Sequence, residues 1–202
     1  MPERHPAIPR WLPNAISVLR ILLVPVWGLC AEASRSAFLA EDSAGTDTWR
    51  TAALAVLITI GVSDVVDGFL ARRFGLASHA GATLDAVADK LAQVGLLLFF
   101  TVRGAPAFPA TPLWFLIVIF GRDVLLGIGW LVLRRRMRGA EIEVVHKLHG
   151  KLASVLLFLL LVLLTAAVSA AWTEPLLWGI TVIVVASTLD YVRAGFRQAR
   201  RQ

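Results

Sequence analysis

Long apolar runs separated by short polar segments dominate the chain. Each run is close to the 20 or so residues that a helix needs to cross a bilayer. The runs cover residues 14–33, 51–73, 81–102, 112–133, 149–169 and 175–195. This pattern predicts an all-α polytopic membrane protein with six transmembrane helices. No segment between the runs is long enough for a second domain, so residues 1–202 are expected to form a single membrane domain.

The polar segments are expected to supply the ends of these helices. Residues 2–13 are rich in proline, and Arg10 and Trp11 suit an anchor at the membrane interface. Asn14 is expected to cap the first helix. Residues 35–50 are expected to form a polar exterior connection, and the proline- and glycine-containing segment 103–112 a turn on the same side.

Charge gives the orientation of these spans. The net charge of +6 comes from arginine and lysine concentrated before the first run, after the second and fourth runs, and at the C-terminus. By the positive-inside rule, both termini are cytoplasmic in a multi-pass protein of the inner (cytoplasmic) membrane. The basic residues are expected to contact anionic lipid headgroups and not nucleic acid. The single cysteine, Cys30, excludes an internal disulfide.

Four aspartates interrupt the apolar pattern: Asp64, Asp67, Asp85 and Asp89. The first two are three residues apart and the last two are four apart, so each pair lies on one helix face. If the second and third spans form an antiparallel hairpin that turns near Leu76, Asp64 matches Asp89 in depth and Asp67 matches Asp85. The four carboxylates would then form one cluster, open to the cytoplasm.

Such a cluster requires cations. Each intramembrane aspartate costs about 2.5–3.5 kcal/mol on insertion scales, and mutual repulsion adds to that cost. An all-oxygen ligand set favours Mg²⁺ or Mn²⁺ over zinc, and two ions bridged by carboxylates are typical of phosphoryl chemistry. The alternative, a set of solvated aspartates at helix ends, explains Asp85 alone but not the matched depths or the small residues around the cluster.

The aspartates also belong to a longer motif. The pattern D-x2-D-G-x2-A-R-x8-G-x3-D-x3-D is formed without a gap by Asp64, Asp67, Gly68, Ala71, Arg72, Gly81, Asp85 and Asp89. It resembles the signature of the CDP-alcohol phosphatidyltransferases. The segments PNAISVLRILLVPV, GRDVLLG and KLHGKLAS are similar to that family's first, fourth and fifth helices. One departure is Ala86, where many members that use glycerol 3-phosphate have proline.

The resemblance implies a reaction and a division of roles. CDP-diacylglycerol would transfer its phosphatidyl group to an alcohol and release CMP, in a protein that forms a homodimer. The four aspartates would bind two Mg²⁺ or Mn²⁺ ions, and Asp89 would also be the base that deprotonates the acceptor hydroxyl. The resemblance also implies that the nucleotide is bound by Gly68, Ala71, Arg72 and Gly81.

The first helix is expected to add polar contacts near the nucleotide. Asn14, Ser17 and Arg20 are spaced three residues apart, so they face the same way. We therefore predict Asn14 and Ser17 as further nucleotide-binding residues. The alternative is that Asn14 only caps the helix and that Arg20 snorkels to the membrane surface.

Two basic residues are candidates for binding the acceptor: Arg122 inside the fourth span and Lys151 near the start of the fifth. Arg122 is expected to lack a good partner, because the adjacent Asp123 points in another direction on a helix. A pair of cations suits an acceptor that carries a phosphate. Glycerol 3-phosphate, which gives phosphatidylglycerophosphate, is the predicted acceptor. Phosphatidylglycerol, which gives cardiolipin, and an inositol phosphate are alternative acceptors. If Arg122 and Lys151 do not bind an acceptor, both side chains are expected to snorkel to the membrane interface.

An ion or proton transporter lined by carboxylates is the alternative from another functional class. A transporter would have acids near the middle of the membrane and broken spans in both halves of the chain. Here the acids are concentrated on one predicted hairpin, and the second half does not repeat them. The sequence therefore favours the transferase.

Overall fold

The computed structural model describes residues 11–74, 79–136 and 147–200; inside its helices, the side chains of residues 13, 71–72, 79–80, 82, 130, 132–136, 147–151 and 194–200 are not described. Within these ranges the chain forms six helices and no strand. They are α1 (Leu12–Leu39), α2 (Ser43–Arg73), α3 (His79–Val102), α4 (Leu113–Arg136), α5 (Lys147–Thr165) and α6 (Ala170–Arg200). The prediction of an all-α protein is confirmed.

Three segments of the described helices are long and apolar enough to cross a membrane: Asn14–Leu39, Ser43–Leu70 and Ala170–Arg193. A shorter apolar helical segment, Leu152–Thr165, lies in α5. In α3, the charged residues Asp85, Asp89 and Lys90 lie in the first half of the helix and an apolar run follows. The helices are thus those of a membrane protein, and the number of spans stays a prediction.

The connection between α1 and α2 is much shorter than predicted. α1 continues to Leu39 and α2 begins at Ser43, so most of residues 35–50 are helical. In the turn, Glu41 has a φ of 58°. The Asp42 carboxylate caps α2 by accepting a hydrogen bond from the Gly45 N–H at 2.9 Å. The prediction of a polar connection over 35–50 is wrong, because a helix can continue past its apolar stretch when its polar turns are exposed.

The Asp42 cap gives a stability prediction. Asp42→Ala removes the acceptor for the Gly45 N–H, so we expect the free energy of unfolding to fall by about 1 kcal/mol. The measurement is thermal or denaturant unfolding of the purified protein in detergent. Asp47→Ala is the matched control, since Asp47 is an exposed aspartate on the same helix and forms an ion pair with Arg50 at 3.3 Å. Equal losses in the two variants would contradict the capping role.

The start of α1 also differs from the prediction. The helix begins at Leu12, with Trp11 at the N-cap position and no capping hydrogen bond from its side chain. Pro13 lies in the first turn, where proline is favoured because that position has no helical hydrogen bond to lose. Asn14 is therefore inside the helix, and its predicted role as the cap is wrong.

The contacts of the chain divide it into two compact units, Met1–Phe108 and Pro109–Gln202. In the first unit, α1 packs extensively along α2 and also contacts α3. Trp27 of α1 is fully buried there, with the rings of Phe99 and Phe100 edge-on at 5.2 and 5.5 Å. α1 is thus a neighbour of both helices that carry the aspartate motif.

In the second unit, α6 packs against both α4 and α5. Its core includes Phe115, Leu160 and Ile180, all fully buried. Trp114 of α4 and Trp178 of α6 lie against one another, with ring centroids 4.7 Å apart. This arrangement holds the part of α4 that carries Arg122 in a packed helical unit.

Candidate functional site

Three of the four motif aspartates converge in the first unit. One carboxylate oxygen from each of Asp64, Asp67 and Asp85 lies within 4.8 Å of the other two. Asp64 and Asp67 are one turn apart on α2, and Asp85 lies near the start of α3. The three-residue spacing places both α2 carboxylates on one face. We call these residues the three-carboxylate group.

Asp89 lies one turn after Asp85 on α3 and is not a member of this group. Its side chain is exposed. Among the described residues, no hydrogen bond or ion pair to Asp89 is found. Its roles as metal ligand and base therefore stay predictions.

Arg20 of α1 links the three carboxylates. Its Nη1 donates to Oδ1 of Asp85 at 2.8 Å, and its Nη2 donates to Oδ2 of Asp67 at 2.7 Å. The same Nη2 lies 3.1 Å from Oδ1 of Asp64. The Arg20 side chain is only 1% exposed, so the alternative that it snorkels to the membrane surface is wrong.

Ser17 lies one turn before Arg20 and is also buried. Its hydroxyl donates to Oδ2 of Asp67 at 3.4 Å. Asn14, one turn further from Arg20, is half-buried. The polar face of α1 therefore contributes at least two side chains to the surroundings of Asp67.

Two polar atoms of the site are buried and make no hydrogen bond within the described part of the chain: Oδ1 of Asp67 and Nε of Arg20. The Asp67 side chain is 4% exposed, and an unsatisfied buried oxygen costs about 1–3 kcal/mol or more when charged. With three ionised carboxylates and one guanidinium, the group also carries a net charge of −2. A divalent cation beside Asp67 would bind this oxygen and reduce the negative charge.

The residues present fit a divalent metal ion. Oxygen-only carboxylate ligands suit Mg²⁺ and Mn²⁺. Oxygens on opposite sides of one Mg²⁺ ion are about 4.2 Å apart, because each Mg–O bond is about 2.1 Å. The three oxygens lie within 4.8 Å of one another, so the carboxylates would have to move closer together to bind one ion.

The glycines of the motif lie next to these carboxylates along the chain. Gly68 directly follows Asp67 on α2, and Gly81 is one turn before Asp85 on α3. The side chains of Ala71 and Arg72 lie outside the described residues. Contacts of these four residues with a nucleotide stay predictions.

In the second unit, Arg122 lies next to the acidic residue Asp123. Its Nη1 is 3.6 Å from Oδ1 of Asp123, which is too long for a hydrogen bond. Its Nε is buried without a hydrogen-bond partner among the described residues. The expectation that Arg122 lacks a good partner is therefore met in part, since Asp123 still supplies a nearby charge. The side chain of Lys151 is not described.

The sequence profile described as "CDP-alcohol phosphatidyltransferase" matches residues 10–192, a range that includes α1, the aspartate motif and Arg122. The chain belongs to the CDP-alcohol phosphatidyltransferase family. The resemblance drawn from the aspartate motif is confirmed.

Curated proteins that are similar to this CDP-alcohol phosphatidyltransferase carry two kinds of name. A cardiolipin synthase candidate of Mycobacterium tuberculosis (H37Rv) is 32% identical over 115 residues, 57% of this chain and 46% of that protein. "Cardiolipin synthase (CMP-forming)" of Streptomyces coelicolor is 36% identical over 126 residues, 61% of this chain and 52% of that protein. The matched part is thus about half the length of these two relatives.

A third relative matches over nearly its full length. "CDP-diacylglycerol--glycerol-3-phosphate 3-phosphatidyltransferase" of Aquifex aeolicus is 26% identical over 194 residues. The match covers 92% of this chain and 96% of that protein. The names of these three relatives therefore point to different acceptors.

Sequence reasoning missed the contacts of Arg20 with the aspartates. It placed Arg20 on the polar face of the first helix of this CDP-alcohol phosphatidyltransferase but did not pair it with the aspartates. A signal was available, because an arginine inside an apolar span needs an acidic partner. The motif aspartates of α2 and α3 are such partners, and α1 packs on both helices.

Proposed function

We propose that this chain is an enzyme that transfers a phosphatidyl group from CDP-diacylglycerol to an alcohol and releases CMP. The observation that carries the proposal is the three-carboxylate group, in which Asp67 is buried and its Oδ1 has no hydrogen-bond partner in the described ranges. Membership of the CDP-alcohol phosphatidyltransferase family supports the same reaction. A carboxylate-lined transporter is disfavoured by that membership.

In the proposed enzyme, Asp64, Asp67 and Asp85 bind divalent cations, and Asp89 completes a set for two Mg²⁺ or Mn²⁺ ions. When bound, these ions supply charge neutralisation of the donor pyrophosphate and of the leaving CMP. The convergence of three carboxylate oxygens within 4.8 Å supports this assignment.

Asp89 is the proposed base that accepts the proton of the acceptor hydroxyl. Its exposed carboxylate lies one turn from Asp85 on α3 and takes no part in the described ion pairs of Arg20. A base must be within hydrogen-bond reach of the hydroxyl it deprotonates, and an exposed carboxylate beside the metal ligands satisfies this requirement most simply.

The nucleotide is proposed to lie against the polar face of α1 and the small residues of the motif. The proposed contact residues are Asn14, Ser17, Gly68, Ala71, Arg72 and Gly81. The hydrogen bond from Ser17 to Asp67 supports the part of this proposal that involves α1. Arg72 would donate several hydrogen bonds to phosphate oxygens.

We propose that the chain is one membrane domain with six transmembrane helices in the inner membrane, preceded by an interfacial segment. Both termini and the site face the cytoplasm, where the basic residues meet anionic lipids. The many exposed large apolar side chains support burial in lipid; examples are Leu29 (73% exposed), Val65 (68%) and Val182 (66%). Two copies are proposed to form a homodimer, with no nucleic-acid partner.

Glycerol 3-phosphate is the proposed acceptor, held by Arg122 and Lys151. The near-complete coverage of the Aquifex aeolicus relative supports this choice. Arg122 supports it as well, because its Nε lacks a hydrogen-bond partner in the described part of the chain. Phosphatidylglycerol is the second candidate, favoured by the name and 36% identity of the Streptomyces coelicolor relative. An inositol phosphate is a further alternative.

The test of the proposed function is an acceptor panel. Purified protein in detergent is given CDP-diacylglycerol, Mg²⁺ and one of glycerol 3-phosphate, phosphatidylglycerol or an inositol phosphate, and CMP release is followed. We expect release with glycerol 3-phosphate and none in excess chelator. Release with phosphatidylglycerol alone would change the acceptor and leave the reaction class intact. Full turnover in excess chelator would contradict the proposed metal site.

Acceptor binding by Arg122 predicts a selective effect on KM. Charge-assisted hydrogen bonds contribute about 1.5–3 kcal/mol, so Arg122→Ala is expected to raise the KM for glycerol 3-phosphate about tenfold to a hundredfold. The KM for CDP-diacylglycerol should change little. Arg122→Lys should recover only part of the loss, because lysine lacks the two-pronged guanidinium.

Arg193→Ala is the matched control for Arg122→Ala, since Arg193 is an exposed arginine of the same unit that lies 3.9 Å from Asp190. Its two KM values should stay at the wild-type level. If Arg122→Ala changes both KM values equally or neither of them, Arg122 only holds its helix in place and the phosphate-binding role is wrong.

A further inference from the structure

Arg20 contacts all three members of the three-carboxylate group. Its Nη2 lies 2.7 Å from Asp67 and 3.1 Å from Asp64, and its Nη1 lies 2.8 Å from Asp85. Each contacted atom is a carboxylate oxygen of the residues that fit a divalent cation. One positively charged side chain therefore already occupies the ligand set.

A metal ion and the Arg20 guanidinium compete for the same place. Nη2 bridges oxygens from two different aspartates, and an ion that bridged these two oxygens would have to lie close to that nitrogen. Both are cations, so they also repel one another at such a short separation. A metal ion bound to these two oxygens would therefore displace the Arg20 guanidinium from its present position.

Arg20 is also an incomplete substitute for a metal ion. It brings a single positive charge to three carboxylates, and Oδ1 of Asp67 stays without a hydrogen bond among the described residues. On the arginine itself, Nε is equally buried and unsatisfied. The guanidinium thus holds the carboxylates together without satisfying all of their atoms.

We propose that Arg20 is a placeholder cation, a side chain that holds the three-carboxylate group together until a divalent cation displaces it. The inference rests on the proposed function, because it takes the metal site from it. It adds a role for a residue outside the aspartate motif: Arg20 stabilises the metal-free protein and weakens metal binding.

A placeholder role and a purely structural role make opposite predictions for metal affinity. If Arg20 competes with the ion, removing its charge makes metal binding tighter. If Arg20 only arranges the aspartates into a binding geometry, removing it makes metal binding weaker. The sign of the change in the dissociation constant therefore distinguishes the two roles.

The experiment is a titration with Mn²⁺ of the purified full-length protein in detergent, followed by the electron paramagnetic resonance signal of free Mn²⁺. Arg20→Met, which keeps much of the side-chain volume without the charge, is expected to bind Mn²⁺ about tenfold to a hundredfold more tightly than wild type. Arg35→Met is the matched control, an arginine of the same helix that pairs with Glu32; its Mn²⁺ affinity should equal that of wild type. Unchanged or weaker binding by Arg20→Met overturns the proposal.

Thermal unfolding gives a second readout on the same variants. In excess chelator, Arg20→Met should unfold at a lower temperature than wild type, and saturating Mn²⁺ should abolish this difference. A difference that persists at saturating Mn²⁺ overturns the placeholder role. If Arg20→Met fails to fold, Arg20→Lys provides the test, because it keeps one charge without the two-pronged contact and should bind Mn²⁺ more tightly than wild type. Equal or weaker binding by Arg20→Lys again overturns the proposal.

Asp67→Asn separates failure of this inference from failure of the proposed function. If Asp67→Asn binds Mn²⁺ as well as wild type, the metal site itself is wrong and both proposals fail. If Asp67→Asn loses Mn²⁺ while Arg20→Met binds it no better than wild type, the metal site stands and only the placeholder role is wrong.

Discussion

Asp67→Asn is expected to lower CMP release from CDP-diacylglycerol by about 10²- to 10⁴-fold. The proposed metal ions contribute several kcal/mol of transition-state stabilisation, and each 1.4 kcal/mol corresponds to a factor of ten in rate. Asp67 is the buried member of the three-carboxylate group, and its Oδ1 makes no hydrogen bond within the described residues. An amide at this position removes the negative charge while keeping the size of the side chain. The measurement is CMP release at saturating Mg²⁺.

Asp47→Asn is the matched control for this substitution. Asp47 lies on the same helix, is 77% exposed and pairs with Arg50 at 3.3 Å. Its conversion to asparagine should leave CMP release within a factor of about two, because exposed ion pairs contribute about 0–1 kcal/mol. Comparable losses in the two variants, or full activity of Asp67→Asn, would remove Asp67 from the metal site.

Asp89→Asn is expected to lower kcat by about 10²- to 10⁴-fold, the usual contribution of a positioned general base. The binding of CDP-diacylglycerol should be largely kept, because a base acts on the transition state more than on the ground state. Asp89 is not one of the three carboxylates that converge, and its exposed side chain is accessible to an acceptor hydroxyl. The measurement is single-turnover CMP formation together with equilibrium binding of the donor.

Asp85→Asn is the comparison for Asp89→Asn. Asp85 is on the same helix and contacts Arg20 at 2.8 Å as a member of the three-carboxylate group. It should lose donor binding and turnover together, whereas Asp89→Asn should lose turnover far more than donor binding. If Asp89→Asn loses donor binding to the same degree as turnover, Asp89 is chiefly a metal ligand.

The placement of Asp64 beside Asp67 could be predicted from their spacing, because helical periodicity puts both on one face of α2. Asp85 joins them by way of α1, which packs on both α2 and α3, whereas the described parts of α2 and α3 have few contacts with one another. The position of Asp89 could not be predicted in this way. Its distance from the other carboxylates depends on how the helices cross, which spacing along the chain does not determine.

The contacts of Arg20 could not be located by local patterns. Asp67 and Asp85 are 47 and 65 residues away from Arg20 in the sequence. Which face of α1 meets α2 and α3 depends on packing by residues such as Trp27. Polarity showed that Arg20 lies on a distinct face of α1, but only the packed helices show which acids it meets.

Helix lengths were predicted least well, and the reason is physical. Hydropathy detects only the apolar part of a helix. A helix predicted from hydropathy therefore ends where polar residues begin. Residues 35–50 contain serine, threonine and aspartate, yet α1 and α2 extend through most of them. Hydroxyl groups of Thr46, Thr48 and Thr51 donate to carbonyl oxygens four residues earlier, which satisfies their hydrogen bonds inside the helix.

The three-residue turn between α1 and α2 has a consequence for biosynthesis. The ribosome delivers the N-terminal helices first, and the hydrogen bond from Ser34 to the Thr46 carbonyl joins α1 to α2 beside the turn. An arginine alone in a bilayer is costly, but Asp64 and Asp67 follow on the very next helix. The first two helices can therefore enter the bilayer as a hairpin in which Arg20 is already paired with two aspartates, and α3 then adds Asp85.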